Sequence, residues 1–183
     1  MKIRCVAKGA AERHIMNTII TTPQAEAAVA ENNGTFVLLR LKDDFGNILN
    51  GSKTMEILKS SCWNLKTPFF VLCCNDEDDK IVGSFICDKI DDLYCPVELP
   101  NINSLEQLPY HTKQWLVQSG LTYYQLCAMA KRRQRLYGWM VNSPVALDLP
   151  LMAIGEEYPP QAWKYLSLTG IQAQLALAGA SAL

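Results

Sequence analysis

Four basic side chains lie within five residues in the segment KRRQR, residues 131–135. They are Lys131, Arg132, Arg133 and Arg135. Their chemistry suits anion binding, because arginine forks donate paired hydrogen bonds to phosphate oxygens and lysine adds a point charge. The whole chain carries a net charge of only −1. The sequence therefore predicts a local phosphate or nucleic-acid site rather than attraction by the whole molecule.

Aromatic residues flank this basic cluster on both sides. They are Tyr123, Tyr124, Tyr137 and Trp139. Rings interleaved with arginine suit the stacked bases of an exposed single strand, and Tyr124 and Tyr137 are the candidate stacking residues. The alternative is a solvated helical face whose aromatic residues pack inward and whose Arg133 neutralises a carboxylate of the protein.

A second candidate for phosphate binding is GNILNGSKT, residues 46–54, which resembles the loop G-x-x-x-x-G-K-[ST] of nucleotide hydrolases. Gly46 and Gly51 have the required separation, but Ser52 comes between Gly51 and Lys53. The extra residue re-aims the lysine and shifts the start of the following element. We therefore predict a turn plus a short strand over LKDDFGNILNGSK, residues 41–53, and a non-standard phosphate contact through Ser52, Lys53 and Thr54 stays open.

No catalytic residue can be assigned from the sequence, and no zinc site is expected. The seven cysteines include no C-x-x-C pair, and His14 and His111 lack the spacing of a zinc finger. The cysteines are better explained as small buried apolar residues in a reducing cytoplasm. The acidic segment NDEDD, residues 75–79, could bind a divalent cation, although a solvated turn is the favoured interpretation.

The elements that would position these residues predict an α+β fold. Thr22–Pro23 and Asn33–Gly34 mark the two ends of a helix, TFVLLRLK reads as a strand, and PFFVLCC with KIVGSFICDKI reads as a hairpin. The segments SLEQLPYHTKQWLVQSG and LTYYQLCAMAKRRQRLYGWMV read as helices, as does the tail beyond residue 161.

The predicted organisation is a single domain over residues 1–183, a length that suits one compact unit. A mixed β-sheet forms the β-containing half, residues 1–95, and several helices follow in the helical half, residues 104–183. The longest apolar stretch, near FFVLCC, is too short to cross a bilayer, and no charged-then-apolar signal segment opens the chain. We therefore expect a cytoplasmic protein without membrane insertion.

The basic cluster also carries a family resemblance. YQLCAMAKRRQRLYGW, residues 124–139, resembles the signature of the ParB/sulfiredoxin-type superfamily, in which a strand Y-x-L-x-A runs into G-E-R-R-x-R-A. The matching positions, with one extra residue allowed, are Tyr124, Leu126, Ala128, Arg132, Arg133 and Arg135. Ala130–Lys131 stands in place of the family's Gly-Glu pair. The size and mixed α+β character are similar to those of plasmid fertility-inhibition (oncogenic-suppression) proteins.

This resemblance implies a protein that binds DNA and nucleotide phosphate. It implies ATP and Mg²⁺ as cofactors, ATP-linked DNA cleavage, inhibition of conjugative DNA transfer, and components of the conjugation or secretion machinery as partners. Two alternatives stay open. One is a non-enzymatic DNA-binding regulator, and the other is a protein-binding inhibitor of phage or plasmid origin.

The regulator alternative rests on QWLVQSGLTYYQLCAMAKRRQRLYGWM, which loosely resembles a helix-turn-helix with Leu121, Leu126 and Tyr137 as core positions and its turn near Lys131. The inhibitor alternative takes the four flanking aromatic residues as the interface and the arginines as its rim. The ParB-like and helix-turn-helix interpretations differ on whether residues 121–130 form a strand or a helix. Neither interpretation gives the oligomeric state.

Overall fold

A computed structural model describes residues 20, 22–42, 44–77, 79–94, 105–130, 135–152 and 162–169. In these ranges the strands are β1 (Thr35–Leu41), β2 (Met55–Leu58), β3 (Phe69–Asn75), β4 (Lys80–Tyr94), β5 (Arg135–Met152) and β6 (Trp163–Ser167). The helices are α1 (Pro23–Glu31), α2 (Gly46–Leu49), α3 (Tyr110–Ser119) and α4 (Tyr123–Ala130), with a short 3₁₀ turn at Leu105–Gln107. The predicted α+β class with a mixed sheet is confirmed.

The six strands form one sheet in the order β2-β5-β4-β3-β1-β6. β1 runs parallel to β3, with Val37 beside Val71, and the other described strand pairs are antiparallel. The parallel pair needs a long crossover, which here consists of α2, β2 and the connection that follows. β5 and β6, which lie in the half predicted to be helical, belong to this same sheet.

Local signals set α1 and the hairpin as predicted. The Thr22 hydroxyl accepts a hydrogen bond from the Ala25 amide at 3.2 Å, which caps the first turn. Asn33 and Gly34, with φ of +53° and +76°, end the helix in the left-handed region. β3 and β4 pair as the antiparallel hairpin that the two apolar runs predict.

Alternation along the strands gives the sheet two buried faces. The front face packs under α2 and under residues 59–68; it carries Val37, Leu39, Val71, Cys73, Phe85, Leu58 and Trp139. The back face carries two further clusters. One holds Phe36, Leu38, Phe70 and Leu72 against α1, and the other holds Met55, Ile57, Leu93 and Leu136 against α4.

The predicted long helix over residues 121–141 is wrong in its second part. α4 ends at Ala130, and residues 135–152 are the central strand β5, paired with β2 on one side and β4 on the other. The reason is burial on both faces. Leu136 faces the back and Trp139 faces the front, each with no exposed surface. A strand buried on both faces has an apolar run without a period of two, so periodicity cannot separate it from a buried helix.

The predicted tail helix is also wrong where the structure describes it. Residues 163–167 form β6, whose Trp163 lies opposite Leu39 of β1. None of the helices in the described ranges is both long and apolar enough to span a bilayer.

Candidate nucleic-acid interface

Most of the predicted basic cluster lies outside the described residues, since the structure does not describe 131–134. Arg135 is described. It opens β5 on the front face with 66% of its side chain exposed, and its Nη1 lies 3.7 Å from Asp92 Oδ2. Such an exposed pair is screened by solvent and contributes at most about 1 kcal/mol. The guanidinium of Arg135 therefore stays accessible to an anion.

The two predicted stacking residues are not brought together. Tyr124 lies on α4, which packs on the back face, and it is 82% exposed. Tyr137 is half-buried on the front face, where its ring meets Trp63 edge to face with centroids 5.8 Å apart. Trp139 lies fully buried in the core. The four flanking aromatic residues therefore do not form one surface, which removes the interface proposed for a protein-binding inhibitor.

Lys53 does not occupy a phosphate loop. The segment forms the short helix α2 and then turns at Gly51, whose φ is +77°, and a strand follows where a phosphate loop opens a helix. Ser52 is exposed and its hydroxyl donates to the carbonyl of Asn47 at 3.1 Å. The predicted turn is present at Gly51, but Gly46–Leu49 forms α2, and the short strand comes after the predicted segment, at Met55–Leu58.

Lys53 instead forms an ion pair at the edge of the front face. Its Nζ lies 2.6 Å from Glu56 Oε2, and the two side chains are only 7% and 14% exposed. Glu56 lies opposite Trp139 on the neighbouring strand. Charges taken out of water are tolerated only when they are paired, so each member stabilises the other in its charged form. The pair places a proton donor beside a proton acceptor.

A thiol near this pair responds to the same environment. Burial raises the pKa of Cys73 well above its usual value; the charge of Glu56 adds to this rise and Lys53 opposes it. The ion pair itself is shielded from water by its low exposure, 7% for Lys53 and 14% for Glu56.

Aromatic rings run across the front face from its buried centre toward β6. Phe69 meets Trp139 at 5.2 Å between centroids, Trp139 meets Trp163 at 5.6 Å, and Trp163 meets Tyr165 at 5.1 Å. The two rings on β6 then anchor the connection that crosses this face, residues 59–68, which we call the Trp63 loop.

The amino-terminal part of the Trp63 loop is fixed by hydrogen bonds to β6. Trp163 Nε1 donates to Ser60 Oγ at 3.1 Å. The hydroxyl of Tyr165 lies 3.5 Å from Cys62 Sγ and 3.4 Å from the Asn64 amide that donates to it. Burial, reinforced by the bond with Cys62, raises the pKa of Tyr165 to about 12. The hydroxyl therefore keeps its proton over the physiological range.

Trp63 lies between two of these anchors and points outward, with 76% of its surface exposed. Tyr94, 56% exposed, lies directly opposite Arg135 on the same face. Arg135 and Tyr137 are two residues apart on β5, which corresponds to about 7 Å along a strand. We call Trp63, Tyr94, Arg135 and Tyr137 the front-face aromatic surface.

Trp63, Tyr94 and the Lys53–Glu56 pair are not among the site residues that the sequence predicts. The chain has only four tryptophans, and three of them, Trp63, Trp139 and Trp163, lie on the front face. The one signal for Trp63 in the sequence is a tryptophan within the short polar segment SSCWNLK.

Carboxylates of the acidic turn, residues 75–79, form ion pairs with an arginine. Arg40 on β1 lies 3.1 Å from Asp76 and also pairs with Asp79, while residue 78 lies outside the described ranges. Across the described residues no group of three acidic, cysteine or histidine side chains is arranged to hold a metal ion.

The helices also depart from the predicted helix-turn-helix. α3 and α4 are joined at Gly120, which has a φ of +69°, rather than near Lys131. Tyr137, predicted to be part of its core, lies on the opposite face of the sheet from Leu126. α4 uses Leu126 and Ala130 to pack onto the sheet.

No protein-family model and no curated protein sequence matches this chain. Solved structures do match. The ASCH protein of Zymomonas mobilis gives a TM-score of 0.56 at 13% identity, over 77% of this chain and 94% of that one. Its serine-to-alanine variant gives 0.57 at 13% identity, over 77% and 94% of the two chains. Its tyrosine-to-phenylalanine variant gives 0.55 at 14% identity, over 77% and 96%.

These matches correct the family prediction. ASCH proteins differ in fold from the ParB/sulfiredoxin superfamily. The strand that the resemblance requires at Tyr124–Ala128 is part of helix α4. The ParB-like resemblance is therefore wrong, and the ParB-like nuclease that inhibits conjugation loses its basis, together with the ATP and Mg²⁺ that it implied. At this level of identity the likeness concerns architecture alone: the chain shares the fold of the ASCH protein of Zymomonas mobilis.

Proposed function

We propose that this chain binds single-stranded nucleic acid on the front-face aromatic surface. The observation that carries the proposal is Trp63, a large apolar side chain that is 76% exposed although its loop is fixed on both sides of it. Most tryptophan surface is buried in folded proteins. An anchored, outward-facing ring is what a stacking platform requires, because every base offers a flat face and little ordering is needed on binding.

Cations support nucleic acid over an apolar partner. Arg135 lies on the same face, and in the sequence three further basic residues, 131–133, stand shortly before it. Lys59 and Lys66, both exposed, stand at either side of Trp63 in the loop. Proteins that bind single strands without sequence preference combine aromatic rings that stack on the bases with basic side chains that follow the phosphates.

The surface offers separate contacts for bases and for phosphate. One base would stack on the exposed face of Trp63, whose edge-to-face contact with Tyr137 already fills the space between those two rings. A neighbouring base would stack on Tyr94, and the guanidinium of Arg135 would meet a phosphate. Asp92, which pairs loosely with Arg135, would be displaced by that phosphate.

Replacing Trp63 with alanine is expected to weaken binding to a short single-stranded oligonucleotide by about 5- to 150-fold, since stacking contributes roughly 1–3 kcal/mol per base. Fluorescence anisotropy with labelled RNA and with DNA of the same sequence measures this. Tyr124→Ala is the matched control, because Tyr124 is equally exposed but lies on the back-face helix α4. It should change the affinity less than about 2-fold.

The proposal would be overturned if Trp63→Ala bound RNA and DNA as tightly as the wild type does. It would also be overturned if Trp63→Ala and Tyr124→Ala lost the same amount of affinity. The affinity of the wild type should also fall steeply as salt rises, because bound phosphates release counterions. Binding that ignores salt contradicts the role of the cations.

A cytoplasmic location belongs to this proposal. Cys62, Cys73, Cys74, Cys87 and Cys127 are free thiols, which suits a reducing compartment.

A further inference from the structure

We propose that Asn32, at the end of α1, is a positioning residue that sets the orientation of Trp63 by anchoring the far end of the Trp63 loop. This inference rests on the proposed function and goes beyond it, because Asn32 lies outside the front-face aromatic surface. It concerns how a rigid platform is produced from a loop.

The side-chain amide of Asn32 is buried, at 7% exposure, and it uses both of its polar atoms. Its Nδ2 lies 2.9 Å from the carbonyl oxygen of Ala28, 3.1 Å from that of Lys66 and 3.2 Å from that of Pro68. Its Oδ1 accepts a hydrogen bond from the Lys66 amide at 2.8 Å. The amide therefore donates to and accepts from the backbone of Lys66, as a neighbouring strand would.

Only one of these four bonds belongs to the helix. The other three reach residues 34 and 36 positions away along the chain. A helix end can be capped by nearby residues, so the helix does not require a side chain that bonds a distant loop. Because most hydrogen bonds of the buried Asn32 amide go to that loop, we infer that its role is to position the loop. β6 fixes Ser60, Cys62 and Asn64, and Asn32 fixes Lys66 and Pro68, so Trp63 lies on a segment tied at both ends.

Removing the amide would release the carboxyl-terminal end of the loop. The backbone groups of Lys66 would turn to water, and Trp63, three residues earlier, would sample more orientations. A ring that must be ordered during binding adds to the entropic cost of association, so affinity falls although no group at the surface has been removed. The direct consequence is energetic coupling between Asn32 and Trp63 in binding.

The test is a double-mutant cycle with Asn32→Ala and Trp63→Ala, read out as oligonucleotide affinity below the melting point of every variant. Asn32→Ala is expected to weaken binding about 5- to 10-fold when Trp63 is present and less than about 2-fold when it is absent. Val29→Ala is the control, because it removes buried methyl groups from the same helix within the back-face core. It should lower thermal stability but leave the affinity unchanged.

A second readout separates this inference from the proposed function. In protein labelled with 5-fluorotryptophan, the ¹⁹F signal that disappears in Trp63→Ala is that of Trp63. In Asn32→Ala this signal should sharpen and move toward the position of free tryptophan, while the signals of the other tryptophans stay in place.

An unchanged Trp63 signal would overturn the positioning role even if oligonucleotides bind. If Trp63→Ala leaves the oligonucleotide affinity unchanged while Asn32→Ala still shifts the Trp63 signal, the nucleic-acid proposal is overturned and the positioning role of Asn32 stands. Equal losses from Asn32→Ala in both backgrounds, or a loss from Val29→Ala, would show an effect of overall stability and contradict the coupling.

Discussion

Lys53→Met is expected to lower the free energy of unfolding by about 3–5 kcal/mol, because it leaves the buried carboxylate of Glu56 without its lysine. Lys53 Nζ and Glu56 Oε2 are 2.6 Å apart, and the two side chains are 7% and 14% exposed, so water replaces the lost cation poorly. Methionine keeps the length of the side chain, which limits the change in packing. Urea denaturation followed by circular dichroism measures the loss.

The double variant Lys53→Met/Glu56→Gln is the control for this prediction. In the double variant the carboxylate of Glu56 is replaced by a neutral amide, so no buried charge has lost its ion-pair partner. The double variant should therefore recover much of the stability that Lys53→Met loses. A loss of under about 1 kcal/mol in Lys53→Met would mean that the pair behaves as a solvated surface pair. That result would contradict the dry environment described for this edge of the front face.

Trp139→Ala should lower the free energy of unfolding by about 3–5 kcal/mol, the range for removing a large aromatic side chain from a core. Trp139 has no exposed surface and contacts Phe69 and Trp163. Since domains are stable by about 5–15 kcal/mol, this loss takes a large part of the total. The measurement is the same denaturant titration.

Trp63→Ala provides the matched comparison, because it removes the same side chain from an exposed position. Its effect on unfolding should be about 1 kcal/mol or less, limited to the edge-to-face contact with Tyr137. The two tryptophans therefore separate: Trp139 is needed for stability and Trp63 for binding. Similar losses of stability in the two variants would contradict the burial described for Trp139.

Local signals in the sequence were sufficient for part of this fold. The Thr22 cap, the left-handed Asn33–Gly34 end and the β3–β4 hairpin each depend on residues close together in the chain, and the sequence predicts them. The sequence predicts a helix where β5 lies, because both faces of β5 are buried and its apolar residues therefore lack the alternation that marks a strand. β6 is a strand only because β1 pairs with it, which no local pattern reports.

The candidate site was less accessible from the sequence than the fold. Lys53 drew attention as a near match to a phosphate loop, but its significance comes from Glu56, three residues later and on the same edge. Trp63 becomes a platform through Cys62 and Tyr165, which are 103 residues apart in the chain, and through Asn32 on another helix. Contacts between residues so far apart in the chain are set by the topology of the fold, and they produce no characteristic spacing in the sequence.

Ultraviolet cross-linking of a single-stranded oligonucleotide, followed by trypsin and mass spectrometry, shows where on the protein the strand is bound. Trypsin cuts after Lys59 and Lys66, so the peptide of residues 60–66 carries Trp63 as its only aromatic residue. We expect this peptide to carry the nucleotide adduct, and we expect the adduct to be lost when salt displaces the strand. An adduct confined to the peptide of residues 114–131, which carries Trp115, Tyr123 and Tyr124, would place the strand on α3 or α4 and contradict the proposed interface.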